Sequence, residues 1–283
     1  MAFPLFLTSS GVACLSYIPI SLIHIALIYS YLHNRLSLFW SYRVPEQTFE
    51  AVVGKILADN QGARVLKFEH QGQFYWLKQA EKLTGAMRFL KQSPAKALQI
   101  EVETLAMLAS KGAQVPQLMC SSPDYLVIAD VGPTISSWLS DKTLSQDEKQ
   151  QILNASATAL ANLHQLGLAH GRPALRDISW SEGQVHFIDF EASQSGKDIT
   201  YQQRRDLLVY IHSLYRYMGP DHEMITPAIQ AYRDAGGEAI WLDAKQWLTP
   251  WQWIYPGLRL FKDIGGKDLR PMFWLLWHFR QLA

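Results

Sequence analysis

Asp177 and Asp189 are separated by Ile178-Ser179-Trp180, a Ser181-Glu182-Gly183 turn and Val185-His186-Phe187-Ile188. That is two β-prone runs around a turn, ending at a carboxylate. Two carboxylates that converge on one point repel each other, and a divalent cation commonly holds them together; beside triphosphate oxygens the natural ion is Mg²⁺. The competing reading is an aspartate that caps a turn and another that ends an exposed strand, but the separation and the intervening strands favour the metal. Glu191 follows closely, placed either to reach the same ion or only to stiffen the next loop. Arg172 stands two residues after His170. Its guanidinium cannot accept a proton, but it can clamp a phosphate with two parallel hydrogen bonds.

These residues need elements to position them. Leu153, Ala157, Leu160, Ala161 and His164 recur at helical spacing, and Ser145 with Glu148 makes a capping box at the start of that helix. Upstream, Phe74-Tyr75-Trp76-Leu77-Lys78 is an aromatic strand-forming run that ends in a lysine. Pro94 suits a first helical position, Leu98, Val102, Leu105 and Leu108 mark one face, and Gly112 stops the helix. Glu101 and Glu103 lie on different faces of it, so only one can meet Lys78; Glu101, one turn before Leu105, is the first choice. Tyr125 to Gly132 reads as a buried strand running into a connection. Ala58 to Ala63 contains one glycine, Gly62, before a strand from Arg64 to Phe68 and a hairpin turn at Gly72. An ordinary turn accounts for Gly62 as well as a phosphate cradle does.

The order helix, loop, hairpin, carboxylate resembles the protein-kinase fold. In that pattern a His is followed two residues later by the catalytic Asp, seven residues later by a metal-binding Asn, and after a hairpin by Asp-Phe-Gly. Here those places hold Arg172, Asp177 and Asp189-Phe190-Glu191. Aligning Arg176-Asp177 on the catalytic Arg-Asp instead leaves too few residues before Asp189. The LANLHQLGLAHG run, the IDFE box and Arg205-Asp206-Leu207 resemble the bacterial lipopolysaccharide-core kinases, the InaA-like heptose and Kdo kinase group related to RIO-type kinases. The resemblance covers about residues 50 to 215.

The resemblance implies an α+β, two-lobed protein-kinase-like fold, with a small lobe over 44–130 and a helical lobe over 131–283. It implies ATP and Mg²⁺ as cofactors, with Arg172, Asp177 and Asp189 as candidate catalytic residues. Lys78 would hold the phosphates and Glu101 would hold Lys78. Gly62 would lie over the phosphates, the backbone from Ala129 to Val131 would meet adenine, and Asp177 and Asp189 would bind the metal. Asp206 would hold the loop from beneath. Members of the family carry Asp where this chain has Arg172, which bears on activity and not on fold. The implied function is phosphotransfer to a sugar of a cell-envelope glycolipid. The alternatives are a membrane-associated pseudokinase that regulates or scaffolds envelope-assembly proteins, and a nucleotidyl transferase.

With 283 residues, 48% of them apolar and 12% aromatic, the chain can bury a substantial core. A net charge of +1 speaks against nucleic acid as a partner. Two cysteines, Cys14 and Cys120, and nine histidines without ligand spacing indicate neither a disulfide framework nor a zinc site. The first 34 residues contain no Asp, Glu, Lys or Arg. Residues 12–32 are long and apolar enough to span a bilayer, so 1–43 reads as an extra apolar helix and a possible anchor. Arg35, Arg43 and Lys55 follow it, which places the remainder at the cytoplasmic face of the inner membrane, with a simply cytoplasmic protein as the alternative. A helix docked on the fold, or residues upstream of the true start, are the competing readings of this segment. Trp241, Trp247, Trp251, Trp253, Trp274 and Trp277 crowd the C-terminal part, and the apolar run Phe273 to Arg280 suits burial as a helix.

Overall fold

The computed structural model describes residues 48–80, 94–190 and 198–281. The apolar segment 1–43, its expected helix and span, and Glu191 lie outside the described residues. The chain divides into two units, one ending at Leu57 and one running from Ala58. Helix α1 (Phe49–Asp59) starts at Thr48, whose hydroxyl accepts a hydrogen bond from the Ala51 amide.

Within the second unit, strands β1 (Val65–His70), β2 (Gln73–Gln79), β3 (Leu118–Ser121) and β4 (Tyr125–Ala129) form an antiparallel sheet in the order β1-β2-β4-β3. Gln71 and Gly72 both take positive φ, 52° and 75°, giving the two-residue hairpin turn that pairs His70 with Gln73. Leu77 in β2 and Leu126, Val127 and Ile128 in β4 are buried, which fixes the register and leaves the Lys78 side chain on the other face of β2 from Leu77. Helix α2 (Pro94–Ser110) packs on β3 and β4, burying Leu98, Leu105 and Leu108 as the spacing predicts.

Among the described residues beyond 130, the regular elements are helices apart from one hairpin. Helices α3 (Ile135–Ser140) and α4 (Gln146–Gln165) come first, and the Ser145–Glu148 capping box is present in both directions. Strands β5 (Ile178–Ser181) and β6 (Gln184–Phe187) are joined by Glu182 and Gly183, both at positive φ. Helices α5 (Ile199–Met218), α6 (His222–Tyr232), α7 (Glu238–Leu248) and α8 (Gly266–Gln281) complete the described residues, with short helical turns between 249 and 261. Helix α4 packs on α6, and α5 packs on α7 and α8. Tyr210, Ile211 and Leu214 of α5 are fully buried, and Trp241 stacks on Phe279 with ring centroids 4.2 Å apart. Each such side chain contributes about 1.5–3 kcal/mol by leaving water. Phe273, Leu275, Leu276 and Phe279 of α8 are buried, as expected for the terminal helix, whereas Trp253 stays 74% exposed. The structure is thus mixed α and β with small antiparallel sheets. Among the described residues, no helix is long and apolar enough to cross a membrane.

Candidate functional site

The end of β2 and the middle of α2 meet through one ion pair. Lys78 Nζ lies 2.5 Å from Glu101 Oε1, with the glutamate side chain only 3% exposed. Glu103 points elsewhere and accepts from Gln99 one turn back. Of the two glutamates open from the sequence, Glu101 therefore meets the lysine. At this end of β4 the backbone is largely committed: the Ala129 amide donates to Gln117 and the Asp130 amide to Phe74. Val131 supplies the next amide along the connection. The Asp130 side chain accepts from Trp76 Nε1 at 2.8 Å and pairs with Lys67 at 2.6 Å. Burial acts to raise its pKa, but these two partners outweigh burial and hold the carboxyl below its usual range.

The loop between α4 and β5 is pinned from below. Asp206, fully buried on α5, accepts from the His170 amide at 2.5 Å and the Gly171 amide at 2.8 Å. The His170 ring accepts from the Arg172 amide on Nδ1, so its proton sits on Nε2 and is donated to the Ile188 carbonyl. Burial lowers the pKa of His170, consistent with this neutral ring. The ring also packs on Phe190, with centroids 4.6 Å apart. Asp189, between Ile188 and Phe190, adopts φ 69°, the left-handed region that a side chain rarely enters; strain of this kind gathers where a side chain must be aimed. The hairpin itself is tied to α3 by Trp138 Nε1 donating to the Trp180 carbonyl.

Above that scaffold the charged tips converge. Arg172 Nη2 lies 3.3 Å from Asp189 Oδ2 and Arg172 Nε 3.6 Å from Asp177 Oδ2. Arg176 Nε lies 3.5 Å from Asp177 Oδ1, and Lys78 Nζ 3.8 Å from Asp189 Oδ1. Asp177 is buried, and its Oδ2 makes no hydrogen bond among the described residues. Burial and the neighbouring Asp189 charge raise its pKa to about 6, against the opposing pull of Arg172 and Arg176.

Lys78, Glu101, Ala129, Val131, Arg172, Asp177 and Asp189 all line one cleft of about 1010 Å³, at the upper end of the range for small-molecule sites. Gly62 stands at φ 92° in the turn before β1 and is not among the residues lining it. No cluster of three or more His, Cys, Asp or Glu forms a metal cage among the described residues. The buried Oδ2 of Asp177 has no hydrogen bond, only Arg172 Nε at 3.6 Å, and it feels the Asp189 charge, which fits an ion that brings further oxygen ligands with it. Residues 47–228 match the model of the lipopolysaccharide kinase (Kdo/WaaP) family. The chain belongs to that family. A Haemophilus influenzae relative, named only as an uncharacterized protein, is 34% identical over 221 residues, covering 78% of this chain and 91% of the relative.

Three contributors to the site were not picked out from the sequence. Arg176, considered there only as a source of misalignment, pairs with Asp177. Gln203 donates to the carbonyls of His164 and Leu168, fixing the end of α4 one turn from Asp206. The Lys67–Asp130–Trp76 group ties the sheet to the connection after β4. Gln203 and Asp206 share a helix face at i, i+3, which is a detectable signal; the other two arise only from strand pairing and loop geometry.

Proposed function

We propose that the chain is an ATP-dependent phosphotransferase acting on a sugar hydroxyl of a cell-envelope glycolipid, built as a two-lobed kinase-like fold with lobes over 44–130 and 131–283. The observation that carries this reading is Lys78, held by buried Glu101 and 3.8 Å from Asp189 in the lining of the cleft. Lys78 would draw the triphosphate oxygens, and the backbone at Ala129 to Val131 would border the adenine. Asp177 and Asp189 are the residues that would hold Mg²⁺ arriving on the nucleotide, taking it in exchange for Arg172. Bound there, the ion would neutralise charge on the transferring phosphoryl group.

In the transfer, the bond from the γ-phosphorus to the ADP oxygen breaks as a bond to the sugar oxygen forms. Arg172 cannot take the hydroxyl proton. A loose transition state asks little of a base, so the proton can leave late, to a phosphate oxygen or to water. Arg172 then acts as a clamp on phosphate charge. The uncharged segment 12–32 would hold the protein at the cytoplasmic face of the inner membrane, next to a glycolipid acceptor.

A second reading, a nucleotide-binding regulator without transfer activity, is favoured by one observation: the cation Arg172 stands where a proton-accepting carboxylate is expected. Incubating the full chain with Mg-ATP and lipopolysaccharide core separates the readings. Release of ADP with a matching phosphate mass gain on the acceptor supports phosphotransfer, and pyrophosphate release supports nucleotidyl transfer. Bound nucleotide with neither product supports the regulator.

A further inference from the structure

The four carboxylate oxygens of Asp177 and Asp189 are each already faced by a cation of the protein. Arg176 faces Oδ1 of Asp177 at 3.5 Å, Lys78 faces Oδ1 of Asp189 at 3.8 Å, and Arg172 alone spans both Oδ2 atoms, at 3.6 and 3.3 Å. We infer that Arg172 is the built-in counter-cation of this carboxylate pair, so that the cleft takes up a nucleoside triphosphate without requiring a divalent metal ion. The inference rests on the nucleotide reading proposed above and sharpens it.

Charge is the reason. Among the residues lining the cleft, Arg64, Lys78, Arg172 and Arg176 balance Glu101, Asp130, Asp177 and Asp189, so the cleft meets an incoming polyanion with no net negative charge of its own. Exchanging a carboxylate at position 172 for a guanidinium changes the local charge by two, the charge of one divalent ion. In a site that lacks this guanidinium, the metal must both separate the carboxylates and screen them from the triphosphate. Here a residue covalently fixed two positions from the pinned His170 performs the screening. The Arg172 contacts are also longer than tight charge-assisted hydrogen bonds, and its side chain is 44% exposed. With five N–H donors, the guanidinium can engage phosphate oxygens without abandoning both carboxylates.

The test is the affinity of the full chain for the non-hydrolysable β,γ-imido analogue of ATP, measured by calorimetry in excess EDTA and again in excess Mg²⁺. The expected result is a Kd that differs by less than about threefold between the two conditions, a small fraction of the binding free energy. Arg172→Ala should weaken binding in EDTA by about tenfold or more and make it respond to Mg²⁺, whereas Arg172→Lys, which keeps the charge, should stay close to wild type in EDTA. Melting curves without nucleotide establish that each variant is folded. Wild-type binding that weakens more than about tenfold on removing the metal overturns the inference and leaves the nucleotide reading standing. So does an Arg172→Ala variant that binds in EDTA as tightly as wild type. Absence of binding in both conditions sinks the nucleotide reading and this inference together.

Discussion

The two walls of the cleft are held in opposite ways. On the sheet wall the candidate side chain itself is fixed: Lys78 is locked at 2.5 Å to a buried glutamate. On the loop wall the backbone is fixed and the tips are loose. Asp206 and His170 hold residues 170 to 172 by main-chain hydrogen bonds, while Arg172, Arg176, Asp177 and Asp189 face one another at 3.3 to 3.6 Å. The difference shows how a residue as foreign as an arginine at position 172 can be carried without loss of the loop. Its backbone amide serves the scaffold and its side chain serves the cleft, so exchanging the side chain leaves the scaffold bonds in place.

Breaking the scaffold should therefore have the largest effect. Asp206→Ala strands the His170 and Gly171 amides in a dry interior, at about 1–3 kcal/mol for each. Urea unfolding should show a loss of that summed size together with loss of nucleotide binding. A variant of unchanged midpoint would mean that the loop is held by packing alone.

The loose tips can be probed by pH. Asp177 has a folded pKa of about 6, above its ordinary value of 3.8, so the folded state binds that proton more tightly than the unfolded chain does. The resulting stability is fully present below the unfolded pKa and is lost as pH rises through the folded one. In EDTA, Asp177→Asn should gain on wild type by about 2–3 kcal/mol between about pH 4 and about pH 7, following from a shift near two pH units. A flat difference across that range would show that Asp177 is ionised throughout.

On the sheet wall, Lys78→Met should leave Glu101 buried without its cation and cost about 1–3 kcal/mol, with nucleotide binding lost as well. Adding Glu101→Gln should recover part of the stability and none of the binding. If Lys78→Met binds nucleotide like wild type, the lysine is structural and the loop wall alone carries the site.

The smallest effect tests whether the two walls can be disturbed from outside. Ser145→Ala removes the cap of α4 and should cost about 1 kcal/mol. Nucleotide affinity should not change, since the far end of that helix is fixed separately by Gln203. A loss of affinity in this variant would show that α4 transmits strain to the loop.

Local sequence was enough for several elements whose cause is local. The Ser145–Glu148 box, the helical face from Leu153 to His164, the hairpin between Asp177 and Asp189, and the buried stripe of α2 follow from hydrogen-bond geometry and periodicity within a few residues. Charged groups near the site were also legible as candidates, because their order and spacing resemble the kinase pattern. Which partner each would take was not. Glu101 and Glu103 are two residues apart and chemically alike, and only the packing of α2 on the sheet points the first of them at Lys78. The resemblance to the kinase pattern marked Arg172 as standing where an aspartate is expected, but its position across both aspartates depends on the left-handed turn at Asp189 and on the pinning of His170 from α5. The chain alone determined the helices that begin at Pro94 and after Ser145, the two hairpins and the charged candidates, because their causes act over one or two turns. Only the tertiary structure decided the ion pairs: Lys78 meets Glu101 and Asp189 across distant parts of the sequence, and Arg172 reaches Asp177 and Asp189 because the pinned loop and the turn at Asp189 aim them at one point.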